Sequence, residues 1–301
     1  MKPEFLNIPA GLASRRDAPR WSVRCESDRL TDVLLCAPAH LSPVPCCSVT
    51  RESLDRGFET DTHKALAQHR DLRAALERHA VRCHMLDPLP GLPDLCFTRD
   101  SAVVTPWGPV LLNPALGHRR REVDHVARYL SELDAGPVRR IERGTVEGGD
   151  VCVARDGLAI IGWSGERTSL AGAETLAALF RTHGWDVLLC PFDAYHLHLD
   201  TIFCMVDART ALACIDALPQ EFLRALEARG IHILPVLPAE SRQLGCNILS
   251  LDGQTVLVAK GETRLEALLW RSGFETVPVD ISEFAACGGG LHCVTMPLAR
   301  A

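Results

Sequence analysis

A single cysteine near the end of the chain, Cys293, follows a run of glycines in GGGLHCVTMPLAR (288–300). A thiol is a poor nucleophile until it ionises, and glycine lets backbone approach a ligand closely. The stretch therefore reads as a nucleophile on a loop built for close contact. Three other segments put polar residues where apolar runs meet loops. In YHLHLDTIFCMV, His196, His198 and Asp200 alternate with period two, which predicts one shared face of an extended segment. Such a face suits a His–Asp catalytic pair, half of a metal site, or a merely exposed edge. In GTVEGGDVCVA, Glu147 stands before two glycines and Asp150, so backbone bends around a carboxylate. In LPDLCFTRDSAVV, Asp94 and Asp100 stand at the edge of a strong strand, where caps and turns also use aspartate. A cysteine, a histidine and a carboxylate are the minimal set for thiol catalysis: the histidine moves protons and the acid orients it. With 13 cysteines and 12 histidines in the chain, that set alone identifies nothing.

The composition narrows the partners. The chain has 301 residues, 47% of them hydrophobic and 23% charged, the mix of a globular protein with a real core. That length fits one large domain or two small ones. The formal charge is -6 and no basic tract stands out, which argues against nucleic acid. The first residues lack the apolar stretch of a secretory signal. No apolar run approaches the roughly 18 residues that would span a membrane. The cysteines are irregularly spaced and form no C-x-x-C pair. They read as small buried hydrophobes in a reducing cytoplasm, and no paired-ligand spacing supports a structural zinc site.

The elements that must position the polar residues follow from hydrophobic periodicity. Strand-like runs cover 32–38, 101–114, 149–163, 185–192, 202–216 and 246–260. Four of them carry a turn signal between two apolar halves, PWGP, ARDG, DART and LDGQ, and predict hairpins. Amphipathic helical patterns cover 63–80, 121–134, 171–184, 218–230 and 264–273. Each helix is followed by a further strand such as VRCHMLD or IHILPVL. A ββαβ unit thus recurs with a period of about 50–60 residues, which suggests a closed radial array. Two doubly wound domains remain the alternative, and no Gly/Ser or Pro-rich linker divides the chain.

The four polar segments stand in the order PDxxFxRD, EGGD, HLDT, GGGxxC, and this wording resembles the guanidino-group modifying enzymes. Arginine deiminases, dimethylarginine dimethylaminohydrolases, arginine dihydrolases and amidinotransferases make up that superfamily. The similarity runs from about residue 30 to the C-terminus. It implies an α/β fold, a five-bladed α/β propeller (pentein) of ββαβ units with pseudo-fivefold symmetry, over one catalytic domain spanning 1–301. It also implies roles: Cys293 as nucleophile, His198 as general acid and base, Glu147 as the carboxylate that holds the imidazole. Asp100 and Asp200 would clamp the guanidinium. In NPALGHRRRE, Arg119 falls where the family places an arginine for the substrate carboxylate, with Arg120 or Arg121 open as register alternatives. In GWSGERTS, Arg167 falls at a second such arginine. Asp94 matches the dimethylarginine type, Arg99 the deiminase type, and the CNIL segment places Asn247 near the site.

The chemistry implied by the resemblance is a cysteine-dependent, arginine deiminase-type hydrolysis of the guanidino group of a small guanidino amino acid, arginine or an arginine derivative. Two carboxylates fix the guanidinium plane, Cys293 attacks its carbon, and His198 protonates the departing nitrogen. Water then releases a ureido product from a covalent thiouronium. No metal or other cofactor is required. A dimethylarginine hydrolase, a dihydrolase, an amidinotransferase, a metal-dependent hydrolase and a non-enzymatic binding protein are the competing readings. Cys287, His196 and His292 carry no expected role, and the sequence leaves a homodimer open.

Overall fold

The computed structural model describes residues 20–133, 135, 136 and 138–301. The stretch 1–19, read above for a secretory signal, lies outside the described residues, as does Asp134 at the end of the helix expected over 121–134. Among the described residues, fifteen strands form five separate three-stranded sheets. The first pairs β1 (Leu30–Cys36) with β2 (Arg82–Leu86), with α1 (Ser48–Asp55) and α2 (Thr62–Arg78) between them. The second holds β3 (Ala102–Thr105), β4 (Gly108–Leu111), α3 (Gly117–Glu132) and β5 (Arg139–Arg140). The third holds β6 (Val151–Arg155), β7 (Leu158–Trp163), α4 (Leu170–Thr182) and β8 (Asp186–Pro191). The fourth holds β9 (Phe203–Met205), β10 (Thr210–Ala213), α5 (Gln220–Glu227) and β11 (His232–Pro235). After the short α6 (Pro238–Arg242), the fifth holds β12 (Leu249–Ser250), β13 (Thr255–Ala259), α7 (Thr263–Arg271) and β14 (Glu275–Val279). Then come α8 (Ser282–Ala286) and β15 (Met296–Arg300).

Every sheet has one pattern: an antiparallel hairpin, then a helix, then a strand parallel to the second hairpin strand. The first sheet obeys it only through the chain ends. There β15 is the first hairpin strand, antiparallel to β1 with Leu34 opposite Met296, and β1 runs parallel to β2. The result is a closed ring of five ββαβ units, the expected propeller, and it rules out two doubly wound sheets. All four predicted turns lie between the paired strands. The pairing of β15 with β1 was not legible, nor were α1, α6 and α8, whose five to eight residues are too short to show a period.

Each helix covers its sheet for the reason its spacing gives. α4 buries Ala173, Leu176, Ala177 and Phe180 at i, i+3, i+4 and i+7, and Ser169 caps it by accepting the Gly172 amide. These side chains pack in one cluster with Ile161 of β7 and Val187 of β8. The helices thus enclose apolar cores around the ring. The polar residues that interrupt the apolar runs stand two to five positions before the first strand of a hairpin, which puts them together on the axis.

Candidate active site

Each unit contributes to one cluster through the residues leading into its hairpin. Asp100 comes from a 3₁₀ turn, Thr98–Ser101, before β3. Glu147 precedes the turn Gly148–Asp150 before β6. His198 and Asp200 lie at the turn Leu199–Thr201 before β9. Asn247 precedes β12 and Cys293 precedes β15. One pocket is lined by Cys293, His198, Asp100, Asp94, Arg119 and Arg167, among others. The extended HLHLD face is therefore a misreading. Only His198 is extended, and the chain then turns in a 3₁₀ bend, so His196 and Asp200 do not continue its face. His196 is half-buried and lines a separate cavity with Tyr195 and Arg242.

Cys293 is 2% exposed. Its sulfur receives the Asn247 Nδ2 amide at 3.1 Å and donates to Asp200 Oδ2 at 3.3 Å. Asn247 Oδ1 accepts the backbone amides of His292 and Cys293 at 2.9 and 3.3 Å. One side chain thus fixes both the Cys293 thiol and the loop that carries it. The preceding glycines answer to crowding: Gly288 has φ +93°, and a Cβ on Gly289 or Gly290 would strike the Phe97 ring or Asn247. Burial pushes the Cys293 thiol well above its ordinary value, and the Asp200 and Asp100 carboxylates push it further. The free site thus holds a thiol, and a bound cation would favour the thiolate.

His198 is backed by Glu147, whose Oε2 lies 2.9 Å from Nε2. Arg167 grips the same carboxylate through Nε at 3.1 Å and Nη2 at 2.8 Å, and the Ala115 amide adds a bond at 3.1 Å. Burial opposes charge on Glu147, but Arg167 and His198 outweigh it and hold the carboxyl well below its usual range. Burial likewise opposes charge on His198, yet Asp100, Asp150 and Glu147 raise it to about 9. Its other nitrogen, Nδ1, has no hydrogen-bond partner, with Asp100 Oδ1 at 3.8 Å. Gly149 makes room for this ring, since a Cβ there would lie 2.6 Å from Nδ1. Among the described residues, ligand atoms of Asp100, Glu147 and His198 lie within 4.8 Å of one another. Two of these three groups are already paired with buried guanidinium groups, Asp100 with Arg119 and Glu147 with Arg167.

Asp100 accepts the Gly149 amide at 2.9 Å and Arg119 Nη1 at 2.6 Å. Burial opposes its charge, but His198 and Arg119 hold the carboxyl below its usual range. Arg119 lines the pocket, yet each of its nitrogens has a protein partner: Glu122 on Nε, Asp100 on Nη1, and the carbonyls of Asp94 and Phe97 on Nη2. A substrate carboxylate there would compete with Asp100. Arg167 differs, because its Nη1 is without a partner. Arg120 is turned to the carbonyls of Pro114 and Ala115 instead. Asp94 pairs with His118 at 2.7 Å and lines the pocket beside Arg119. Asp200 Oδ1 is buried and has no partner.

Sequence reasoning missed four residues. His292, expected as an exposed or packing residue, is 2% exposed and bridges Asp200 Oδ2 at 2.9 Å and Glu26 Oε1 at 2.6 Å. Glu26 in turn takes Arg99 Nη1 at 3.0 Å. Asp150 is wholly buried and holds the Leu199 amide at 2.8 Å, fixing the His198–Asp200 turn. Burial raises its carboxyl to about 7. Glu122 braces Arg119. The signal for Asp150 was present in EGGD; nothing local marked Glu26 or Glu122. Cys287, which carried no expected role, also lines the pocket, with its sulfur 3.6 Å from Thr60 Oγ1.

The family described as N,N dimethylarginine dimethylhydrolase, eukaryotic, matches residues 48–300. The N(G),N(G)-dimethylarginine dimethylaminohydrolase of Pseudomonas aeruginosa is 28% identical over 237 residues, covering 78% of this chain and 89% of that one. The arginine deiminase of Mycobacterium avium (strain 104) is 30% identical over 334 aligned positions, covering 96% of this chain and 78% of that one. Among solved structures, a mutant of the Pseudomonas aeruginosa dimethylarginine dimethylaminohydrolase complexed with citrulline gives a TM-score of 0.75 at 25% identity, covering 89% and 99% of the two chains. The product-bound N-terminal domain of ArgZ, an arginine dihydrolase of cyanobacteria, gives 0.80 at 20% identity over 91% and 98%. That last likeness speaks for the fold alone.

Proposed function

The chain belongs to the N,N-dimethylarginine dimethylhydrolase family of guanidino-group modifying enzymes and is a hydrolase acting on the guanidino group of arginine derivatives; we propose that Cys293 carries the reaction as a covalent thiouronium. The observation that carries this reading is the His198 imidazole. Glu147 holds one nitrogen, and the other is bare in the pocket that also holds the Cys293 thiol. A protonated His198 can give its proton to the departing nitrogen and then take one from water. Asp200 and Asp100 flank the sulfur's surroundings and align the guanidinium carbon with it. The cation lowers the cost of ionising Cys293 as it binds. Sulfur adds to the carbon, the nitrogen leaves as ammonia or amine, and hydrolysis of the thiouronium frees the thiolate and a ureido product. Arg167 Nη1 is the group we assign to the substrate carboxylate, while Arg119 fixes Asp100 from behind. The domain is one catalytic unit. All 13 cysteines are free, which supports a reducing compartment, and we place the protein in the cytoplasm. Among the described residues no helix is long and apolar enough to cross a membrane.

The substrate we favour is arginine, or an arginine modified away from its terminal nitrogens. Asp200 Oδ1 is a buried acceptor without a protein partner, and a guanidinium N–H satisfies it. Asymmetric dimethylation strips both hydrogens from one terminal nitrogen and would leave a buried charge unpaired, a loss of several kcal/mol, about 10²-fold or more. Asp94, as in dimethylarginine hydrolases, points weakly the other way. The test is kcat/KM for arginine, asymmetric dimethylarginine and agmatine side by side. Arginine is expected to lead, with agmatine weakened by the missing carboxylate. A clear preference for the dimethylated compound would overturn the substrate assignment.

A further inference from the structure

Resting on the reading of Cys293 as nucleophile and Asp200 as guanidinium anchor, we infer that His292 is a positioning residue: a doubly protonated imidazole that fixes the Asp200 carboxylate beside the Cys293 sulfur. The geometry carries this. Nδ1 lies 2.9 Å from Asp200 Oδ2 and Nε2 lies 2.6 Å from Glu26 Oε1, and all three residues are buried. A neutral imidazole has one N–H and one lone pair. It would therefore point a lone pair at one of the two carboxylates. Only the imidazolium donates to both.

The groups facing the ring agree. Arg99 stands beside it, with Nε 3.3 Å from the His292 carbonyl and Nη1 on Glu26. Asn247 holds its backbone amide, Asp200 approaches from the turn before β9, and Cys204 comes from β9 itself. Burial and Arg99 oppose the charge, but the Glu26 and Asp200 carboxylates outweigh them and raise the ring well above its ordinary value. The same Asp200 oxygen then touches two neighbours in sequence, the His292 ring and the Cys293 sulfur. Both ring nitrogens of His292 are taken by Asp200 and Glu26, so it acts through Asp200 and touches no substrate.

Two measurements test this on the full chain. In ¹⁵N-histidine NMR of the wild-type protein at pH 8, assigned with the His292→Gln variant, both ring nitrogens of His292 are expected at imidazolium shifts. A neutral tautomer at that pH would overturn the inference without any need of turnover. In kinetics with arginine, His292→Leu is expected to raise KM about tenfold, the worth of one charge-assisted hydrogen bond. His292→Gln, whose amide can still donate to Asp200, should recover most of that loss. Equal KM values for the Gln variant, the Leu variant and the wild type would reduce His292 to packing. If the Leu variant does not fold, the NMR result and the Gln variant still decide. Failure of the nucleophile reading shows separately, as turnover retained by Cys293→Ser.

Discussion

Two histidines stand against carboxylates on this propeller axis, and only one of them is free to move a proton. His198 is anchored by Glu147 through one nitrogen and presents the other, without a partner, at the pocket. His292 is anchored through both nitrogens, by Asp200 and Glu26, behind the pocket wall. Both rings are buried, and the carboxylates raise both. Burial and charge therefore do not separate their roles. The number of committed nitrogens does: one leaves a proton donor, two leave a fixed charge.

The largest expected effect comes from removing the Cys293 sulfur. Cys293→Ser should cut turnover by about four orders of magnitude or more, measured as citrulline or other ureido product, while Cys287→Ser stays within a fewfold. Comparable losses in the two would mean that pocket thiols in general, not one nucleophile, matter.

Next, His198→Gln should lower kcat by about 10²–10⁴-fold and His196→Ala should be mild. The contrast with His292 sharpens here. A proton carrier is lost from kcat, and its amide replacement rescues nothing. A His198→Gln variant that behaves like His292→Gln, with KM moved and kcat kept, would break the distinction.

The smallest effect is on stability against pH. His198 is raised to about 9 when folded, against roughly 6.5 in an unfolded chain. Its contribution is therefore complete below about pH 6.5 and is lost as pH rises through about 9. Denaturant unfolding of wild type and His198→Gln at several pH values should show the gap between them closing over that window. A gap that widens with rising pH would mean that the imidazole is held neutral.

Much of the site was legible because its residues break local patterns. Glu147 before two glycines, the HLD segment, the RD pair and the cysteine after GGG are each polar insertions between a helix–strand connection and a hairpin. The hairpins and longer helices were legible for the same local reason, since turn residues and 3.6-residue periodicity act within a few neighbours. Where the local rule was pushed too far it failed: HLHLD alternates, but a 3₁₀ turn intervenes because Asp150 draws in the Leu199 amide.

By itself, then, the sequence determined which polar side chains gather in the candidate site and that five similar units repeat. Only the closed ring decided their partners. β15 must pair with β1 before Glu26 can meet His292, 266 residues away. Arg119 reads equally well as a substrate clamp or a brace until Asp100, Glu122 and two carbonyls surround it. A buried charge must find its counter-charge wherever the fold brings one, and that choice rests on distances that no local pattern encodes.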